Sequence, residues 1–150
     1  GHIEEAHHRV DHLLRLRDLQ DQSQAAGYQG FLAYIPLAYQ NEENELSANH
    51  VIHETTGAED LREIAVGRLL LDNVPHIKAY WVMITPGLAQ AGLSYGADDL
   101  DGTIIAEEIA HDAGAKTPQG LAQQELIRLI QDAGFEAFER DNLYNVYQPA

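Results

Sequence analysis

The stretch Leu69-Leu-Leu-Asp-Asn-Val-Pro-His-Ile-Lys-Ala-Tyr-Trp-Val-Met83, followed one short helix later by Gly96-Ala-Asp-Asp-Leu-Asp-Gly-Thr103, decides the fold class of this chain. Each half joins a helix end to an apolar strand through a tight turn, and the second strand delivers three carboxylates where an apolar run would otherwise continue. Upstream, Thr56-Gly-Ala-Glu59 has the spacing of a capping box, in which the Thr oxygen and the Glu carboxylate satisfy free amide donors. The helix it opens carries Leu61, Ile64, Ala65 and Leu69 as an apolar stripe and is expected to end near Asn73, before Pro75. Ile77 to Val82 reads as a strand. Thr85-Pro86 then reads as an N-cap with proline in the first turn, and Gly96 supplies a left-handed stop before a strand bearing Asp98, Asp99 and Asp101.

The same alternation extends outward. From about Ala6 to Gln22 a helical period places Val10, Leu13 and Leu14 on one side. Gly27 and Gly30 punctuate the chain before Phe31-Leu-Ala-Tyr-Ile35, an apolar run of strand length that predicts burial on both faces. Leu37 to Thr55 is a long polar loop of the kind that is functional or mobile. Beyond Ile104 to Ala115, which has no readable period, Thr117-Pro118 opens a last helix. It turns Leu126, Leu129, Ile130 and Ala133 to one face, is closed by Gly134, and leads into a short strand from Phe135 to Glu139.

Alternating strands and helices imply right-handed crossovers and a parallel sheet, hence an α/β fold. Four such units are half of an eight-stranded barrel, and a complete open sheet fits the pattern as well. No glycine-rich phosphate cradle occurs at any strand-to-helix turn, which disfavours a dinucleotide, nucleoside-triphosphate or small phosphosugar enzyme.

Composition narrows the function classes. The 150 residues are 45% hydrophobic, enough for one domain with a core. A net charge of −15 repels phosphate backbones and anionic headgroups, so neither nucleic acid nor a membrane surface is an expected partner. Without a cysteine the chain offers no thiolate, and without a signal-like N-terminus it is expected in the cytoplasm. His8 and His12 stand i,i+4 on the first helix, the spacing of a zinc pair, but no third ligand accompanies them and no metal site is assigned.

Arg9-Val-Asp-His-Leu-Leu-Arg-Leu-Arg-Asp-Leu-Gln20, Ile35-Pro-Leu-Ala38, Leu61-Arg-Glu-Ile-Ala-Val66, Leu71-Asp-Asn73, His76-Ile-Lys-Ala-Tyr-Trp-Val82 and Gly96-Ala-Asp-Asp-Leu-Asp-Gly-Thr103 together resemble the C-terminal half of aminofutalosine synthase. The sister cyclase of dehypoxanthine futalosine is similar too, but Leu100-Asp-Gly-Thr103 favours the synthase. The deazaflavin-forming synthases are more distant. The resemblance implies the C-terminal half of a (β/α) TIM-type barrel, about four βα units, in a radical S-adenosylmethionine enzyme of menaquinone biosynthesis. In such an enzyme the other half carries three cysteines, a four-iron four-sulfur cluster and S-adenosylmethionine, none ligated by these residues. The implied reaction adds a 5′-deoxyadenosyl radical to 3-[(1-carboxyvinyl)oxy]benzoate and yields 6-amino-6-deoxyfutalosine. The chain is then expected to be a fragment beginning where the family's fifth strand ends, inactive alone, to partner a missing N-terminal half-barrel, and to self-associate through its exposed edges. A non-catalytic acidic assembly module is the competing class.

In a barrel, the substrate is met by side chains at the C-terminal ends of the strands. That rule selects His2 and Glu4 at the first strand's exit, for the adenosyl group or substrate, and Tyr39, Gln40 and Asn44 in the long loop that follows the next strand. The family usually has His-Pro where Gln40-Asn41 stands, so a protonatable group is missing there. Lys78 and Tyr80 share a strand face opposite Trp81, and an inward lysine suits a carboxylate substrate. Asp99 and Asp101 share a face opposite Asp98 and Leu100, where their oxygens can accept from ribose hydroxyls.

Overall fold

In the computed structural model, residues 3–40, 48, 54–102, 118 and 120–147 are described. His2, Asn44, most of the polar loop, Ile104 to Ala115 and Thr117 lie outside them. The architecture is α/β: a small parallel sheet with helices packed on it.

Helix α1 (Ala6–Ala25) ends in a Schellman turn, in which Gly27 at φ +83° lets its own N–H and that of Tyr28 reach the carbonyls of Gln24 and Ser23. Its C-terminal half is tied to the starts of the strands by a buried amide. Gln20 accepts from the Phe31 N–H at 2.6 Å and donates to the carbonyls of Phe31 and Asn73 at 3.1 and 3.2 Å. Arg17 reaches the Leu70 carbonyl and Asp72, and Asn73 donates to the Arg17 carbonyl and to Asp21. One helix face therefore fixes the entry into both strands.

Strand β1 (Ala33–Tyr34) pairs in parallel with β2 (His76–Ile77), Ala33 opposite His76 and Tyr34 opposite Ile77. Between them runs α2 (Gly57–Leu70), opened by the expected capping box: Thr56 Oγ1 accepts from Glu59 N–H at 3.3 Å and Glu59 Oε2 accepts from Thr56 N–H at 2.8 Å. A third parallel segment adds beside β2 through a single bridge, Lys78 opposite Asp99, with Ala79 N–H donating to the Asp99 carbonyl at 2.8 Å.

The strand expected over Ile77–Val82 is shorter than its apolar run. After Ala79 the chain curls into a helical turn, α3 (Trp81–Ile84), closed by Met83 and Ile84 N–H groups on the Tyr80 carbonyl. Trp81, Val82 and Ile84 are buried there, and burial without period 2 is what an apolar stretch of this length cannot distinguish from a strand. Helix α4 (Pro86–Leu93) follows, with Thr85 capping Leu88 N–H, and α5 (Gln123–Asp132) ends at Gly134 in a second Schellman turn. The expected strand at Phe135–Glu139 is absent. In its place a tight turn closes through an antiparallel bridge between Arg140 and Val146.

The core collects Leu13, Ile64, Leu71, Ile77, Trp81, Leu93, Leu100 and Leu126 on the helix side of the strands. Burial on the other side is incomplete. Phe31 and Ile35, expected to be covered on both faces, are each about 40% exposed, because among the described residues no layer packs on that face of β1. Leu69 and Leu14, read as parts of apolar stripes, are also exposed. Among the described residues no helix is long and apolar enough to cross a membrane.

Candidate functional site

Parallel strands end on one side, and the residues just past those ends gather there. Lys78 leaves β2 on the face opposite Ile77, and alternation in the third segment turns Asp99 and Asp101 toward it while Asp98 and Leu100 turn away. Lys78 Nζ lies 2.8 Å from Asp101 Oδ1 and 3.6 Å from Asp99 Oδ2. Asp101 holds φ at +75°, a left-handed conformation that costs a non-glycine residue about 1 kcal/mol and that Asp tolerates better than most.

The C-terminal turn completes the group. Asp141 folds it by accepting from the Leu143 and Asn145 N–H groups at 2.8 and 2.9 Å, which sends Arg140 and Tyr144 back over the strand ends. Arg140 Nη2 donates to Asp99 Oδ2 at 2.6 Å and sits 3.5 Å from Asp101 Oδ1. Tyr144 OH donates to the same Asp99 oxygen at 2.8 Å. Its ring stacks on His76, centroids 3.8 Å apart, with the Arg140 guanidinium 4.6 Å from the ring centre. Two cations thus meet two carboxylates in a nearly dry place: side-chain exposure is 12% for Lys78, 10% for Asp99, 18% for Arg140 and 26% for Asp101.

Electrostatics follow the geometry. Burial opposes ionisation of Asp99, but the Tyr144 hydrogen bond, the Lys78 charge and the Arg140 bond together outweigh it and hold its carboxyl below the usual range. Burial also pushes the Tyr144 phenol up, and the neighbouring Asp99 carboxylate adds to the shift. Asp98 plays a different part on the other face: it accepts from Arg68, His76 and the Ile77 N–H, each at 2.7 Å, and braces the turn between α4 and the third segment.

A second group of acids lines a cavity of about 240 Å³ where α1 and α2 begin beside Ile35–Ala38, just beyond β1. Glu4, Glu59, Asp60 and Glu63 share it with Arg9, His12 and Tyr34. Tyr34 OH donates to Glu63 at 3.0 Å, and Arg9 lies 3.7 Å from the same carboxylate. Burial, reinforced by the adjacent Glu59 charge, raises the Asp60 carboxyl.

The sequence-predicted residues therefore divide. Lys78, Asp99 and Asp101 come together, whereas Glu4 lines the separate cavity. Gln40 donates to the Met83 carbonyl at 3.2 Å, Tyr39 is half-buried beside it in sequence, and Tyr80 caps α3 rather than continuing Lys78's strand face. His8 takes the Glu5 N–H at 3.1 Å and so serves the helix start. Arg140 and Tyr144 were not legible as site residues. The sequence signal near them is the turn-forming Asp141-Asn142.

An iron–sulfur cluster takes thiolates, and the chain contains no cysteine; among the described residues, no group of three or more His, Asp or Glu gathers as a metal site either. These residues do not fit such a cluster. Their side chains offer ammonium and guanidinium donors and carboxylate acceptors.

The family model described as the CofH/MqnC C-terminal region matches residues 28–150. The chain belongs to this family. Two similar proteins are the aminodeoxyfutalosine synthases of Thermus thermophilus, 52% identical over 96% of this chain, and of Streptomyces coelicolor, 46% identical over 97%. A cyclic dehypoxanthine futalosine synthase of Streptomyces coelicolor is 38% identical over 91%. The chain spans 38% of the length of each of the first two and 32% of the third. The CofH/MqnC region begins at Tyr28, so its match contains the whole charged group, from His76 to Tyr144.

Proposed function

We propose that this chain is the C-terminal, substrate-facing part of an aminodeoxyfutalosine synthase of menaquinone biosynthesis. The observation that carries the reading is the 52% identity across 96% of the chain, well above the 38% to the cyclase. In the parent enzyme, a TIM-type barrel of the radical S-adenosylmethionine class, these βα units form the rear half, and the half-exposed face of β1 is turned to the interior. The cluster and S-adenosylmethionine belong with the N-terminal half-barrel, which is the partner these edges meet. When bound and reduced by one electron from the cluster, S-adenosylmethionine would supply the 5′-deoxyadenosyl group with release of methionine, and its addition to 3-[(1-carboxyvinyl)oxy]benzoate with rearrangement and loss of the carboxyl carbon would give 6-amino-6-deoxyfutalosine.

The residues of this chain bind and orient. Lys78 and Arg140 supply positive charge beside a dicarboxylate substrate, and the Asp99–Asp101 pair accepts hydrogen bonds from sugar hydroxyls; His2, Glu4, Tyr39, Gln40, Asn44 and Tyr80 are further candidates for contact with the substrate or the adenosyl group. Holding two pieces in register is where a protein scaffold contributes most to such a joining reaction. Expressed alone, the chain has no catalytic activity and self-associates through its uncovered apolar face.

Anaerobic assay of the full-length, cluster-loaded protein with S-adenosylmethionine and 3-[(1-carboxyvinyl)oxy]benzoate tests the reading. Mass-spectrometric appearance of 6-amino-6-deoxyfutalosine is expected. Turnover of dehypoxanthine futalosine with no adenosylated product would assign the cyclase activity in its place.

A further inference from the structure

Asp99 and Asp101 lie two residues apart on one face, yet their surroundings give them different work. Asp99 is committed on both oxygens. Its Oδ2 accepts from Arg140 at 2.6 Å and Tyr144 at 2.8 Å with Lys78 at 3.6 Å, and its Oδ1 accepts the Asp101 N–H at 3.0 Å. A carboxylate has about four lone-pair directions, and here the protein fills nearly all of them. Asp101 is the less covered of the two, engages Lys78 through Oδ1 at 2.8 Å, and among the described residues its Oδ2 accepts nothing. Asp101 holds a left-handed backbone and is followed by Gly102 at the end of the described segment.

We propose that Arg140 and Tyr144 are positioning residues that saturate Asp99 and so leave Lys78 to Asp101, whose outer oxygen is the one that accepts hydroxyl donors from a nucleoside ligand. The proposal rests on the adenosyl-handling role above and divides labour within it. Lys78 stands between two anions, and its position is set by which of them is otherwise neutralised. With Arg140 and Tyr144 on Asp99, the ammonium is 0.8 Å closer to Asp101 than to Asp99, taking 3.6 less 2.8 Å. Without them, Asp99 would be a buried anion with one cation, and Lys78 would turn to it. The His76 ring stacked on Tyr144 keeps the phenol in place.

Calorimetric binding of adenosine, 2′-deoxyadenosine and 3′-deoxyadenosine to the full-length protein, with melting temperature recorded for each variant, tests this without turnover. The unaltered protein is expected to prefer adenosine over at least one deoxy analogue by about tenfold, the worth of one well-placed hydrogen bond. Asp101→Asn, which keeps a residue tolerant of positive φ, should abolish that preference with little change in melting. Tyr144→Phe and Arg140→Gln should reduce the preference several-fold, and Arg140→Lys should recover part of it. A purely structural role would lower melting and leave the ratio of affinities alone. The proposal is overturned if adenosine does not bind, if no preference exists, or if Asp101→Asn or the Arg140 and Tyr144 variants retain it. Loss of product in the turnover assay with the preference intact would count against the synthase reading alone.

Discussion

Two groups of acids stand just past the ends of parallel segments, and they differ in how many cations they hold. Around Asp99, two carboxylates face Lys78 and Arg140, and the balance keeps Asp99 ionised despite its burial. In the cavity between the starts of α1 and α2, four carboxylates lie with one guanidinium among the described residues, that of Arg9, 3.7 Å from Glu63, and Asp60 is pushed the other way. Burial is common to both. At these two aspartates the immediate partners decide the sign of the shift: the Tyr144 hydrogen bond and the Lys78 and Arg140 cations at Asp99, the Glu59 charge at Asp60.

Removing a cation from the balanced group should have the largest effect. Lys78→Ala leaves Asp99 and Asp101 with one cation between them and should lower the unfolding free energy by about 3 kcal/mol, read from urea melts of the full-length protein. Arg9→Ala in the acidic cavity should cost less, because Arg9 meets Glu63 only at 3.7 Å and is more exposed than Lys78. A backbone change comes next. Gly30 holds φ at +73°, and a Cβ there would overlap the amide of Gln20, so Gly30→Ala should cost about 2 kcal/mol as the link from α1 to Phe31 breaks. Tyr144→Phe removes one donor from Asp99 and should cost about 1 kcal/mol. An unchanged melt would sever the C-terminal turn from the balanced group.

Smallest is the pH effect, in which the two groups oppose each other. The folded value of Asp99 lies below its unfolded value of about 3.9, so its contribution is present above that pH and is lost as pH falls through the folded value. For Asp60 the folded value lies above the unfolded one, so its contribution is present below about pH 3.9 and is lost as pH rises through the folded value. Asp99→Asn and Asp60→Asn should therefore change the acid limb of the stability curve with opposite slopes.

Local chemistry made much of this legible. Thr56 and Glu59 form the capping box their spacing announces, Gly27 and Gly134 sit in left-handed turns, and Asp99 and Asp101 share a face as alternation requires. What sequence could not give depends on distant partners. Trp81 lies in a helical turn because its neighbours bury it from several sides, a matter of packing that a short apolar run does not encode. Gln20 looks like a surface residue of α1 until two loops bring their backbone groups to it. Arg140 reaches Asp99 across 41 residues, and nothing near Arg140 foretells the meeting.

The most direct test is a carbon-13 NMR titration of the aspartate side-chain carboxyls in the cluster-free full-length protein, assigned with the Asp99→Asn and Asp60→Asn variants. The Asp99 carboxyl is expected to remain ionised below the pH at which an ordinary aspartate is half-protonated, and Asp60 to take up its proton above it. Titration in the reverse order would contradict the account, because the charges around Asp99 would then not be holding it as an anion.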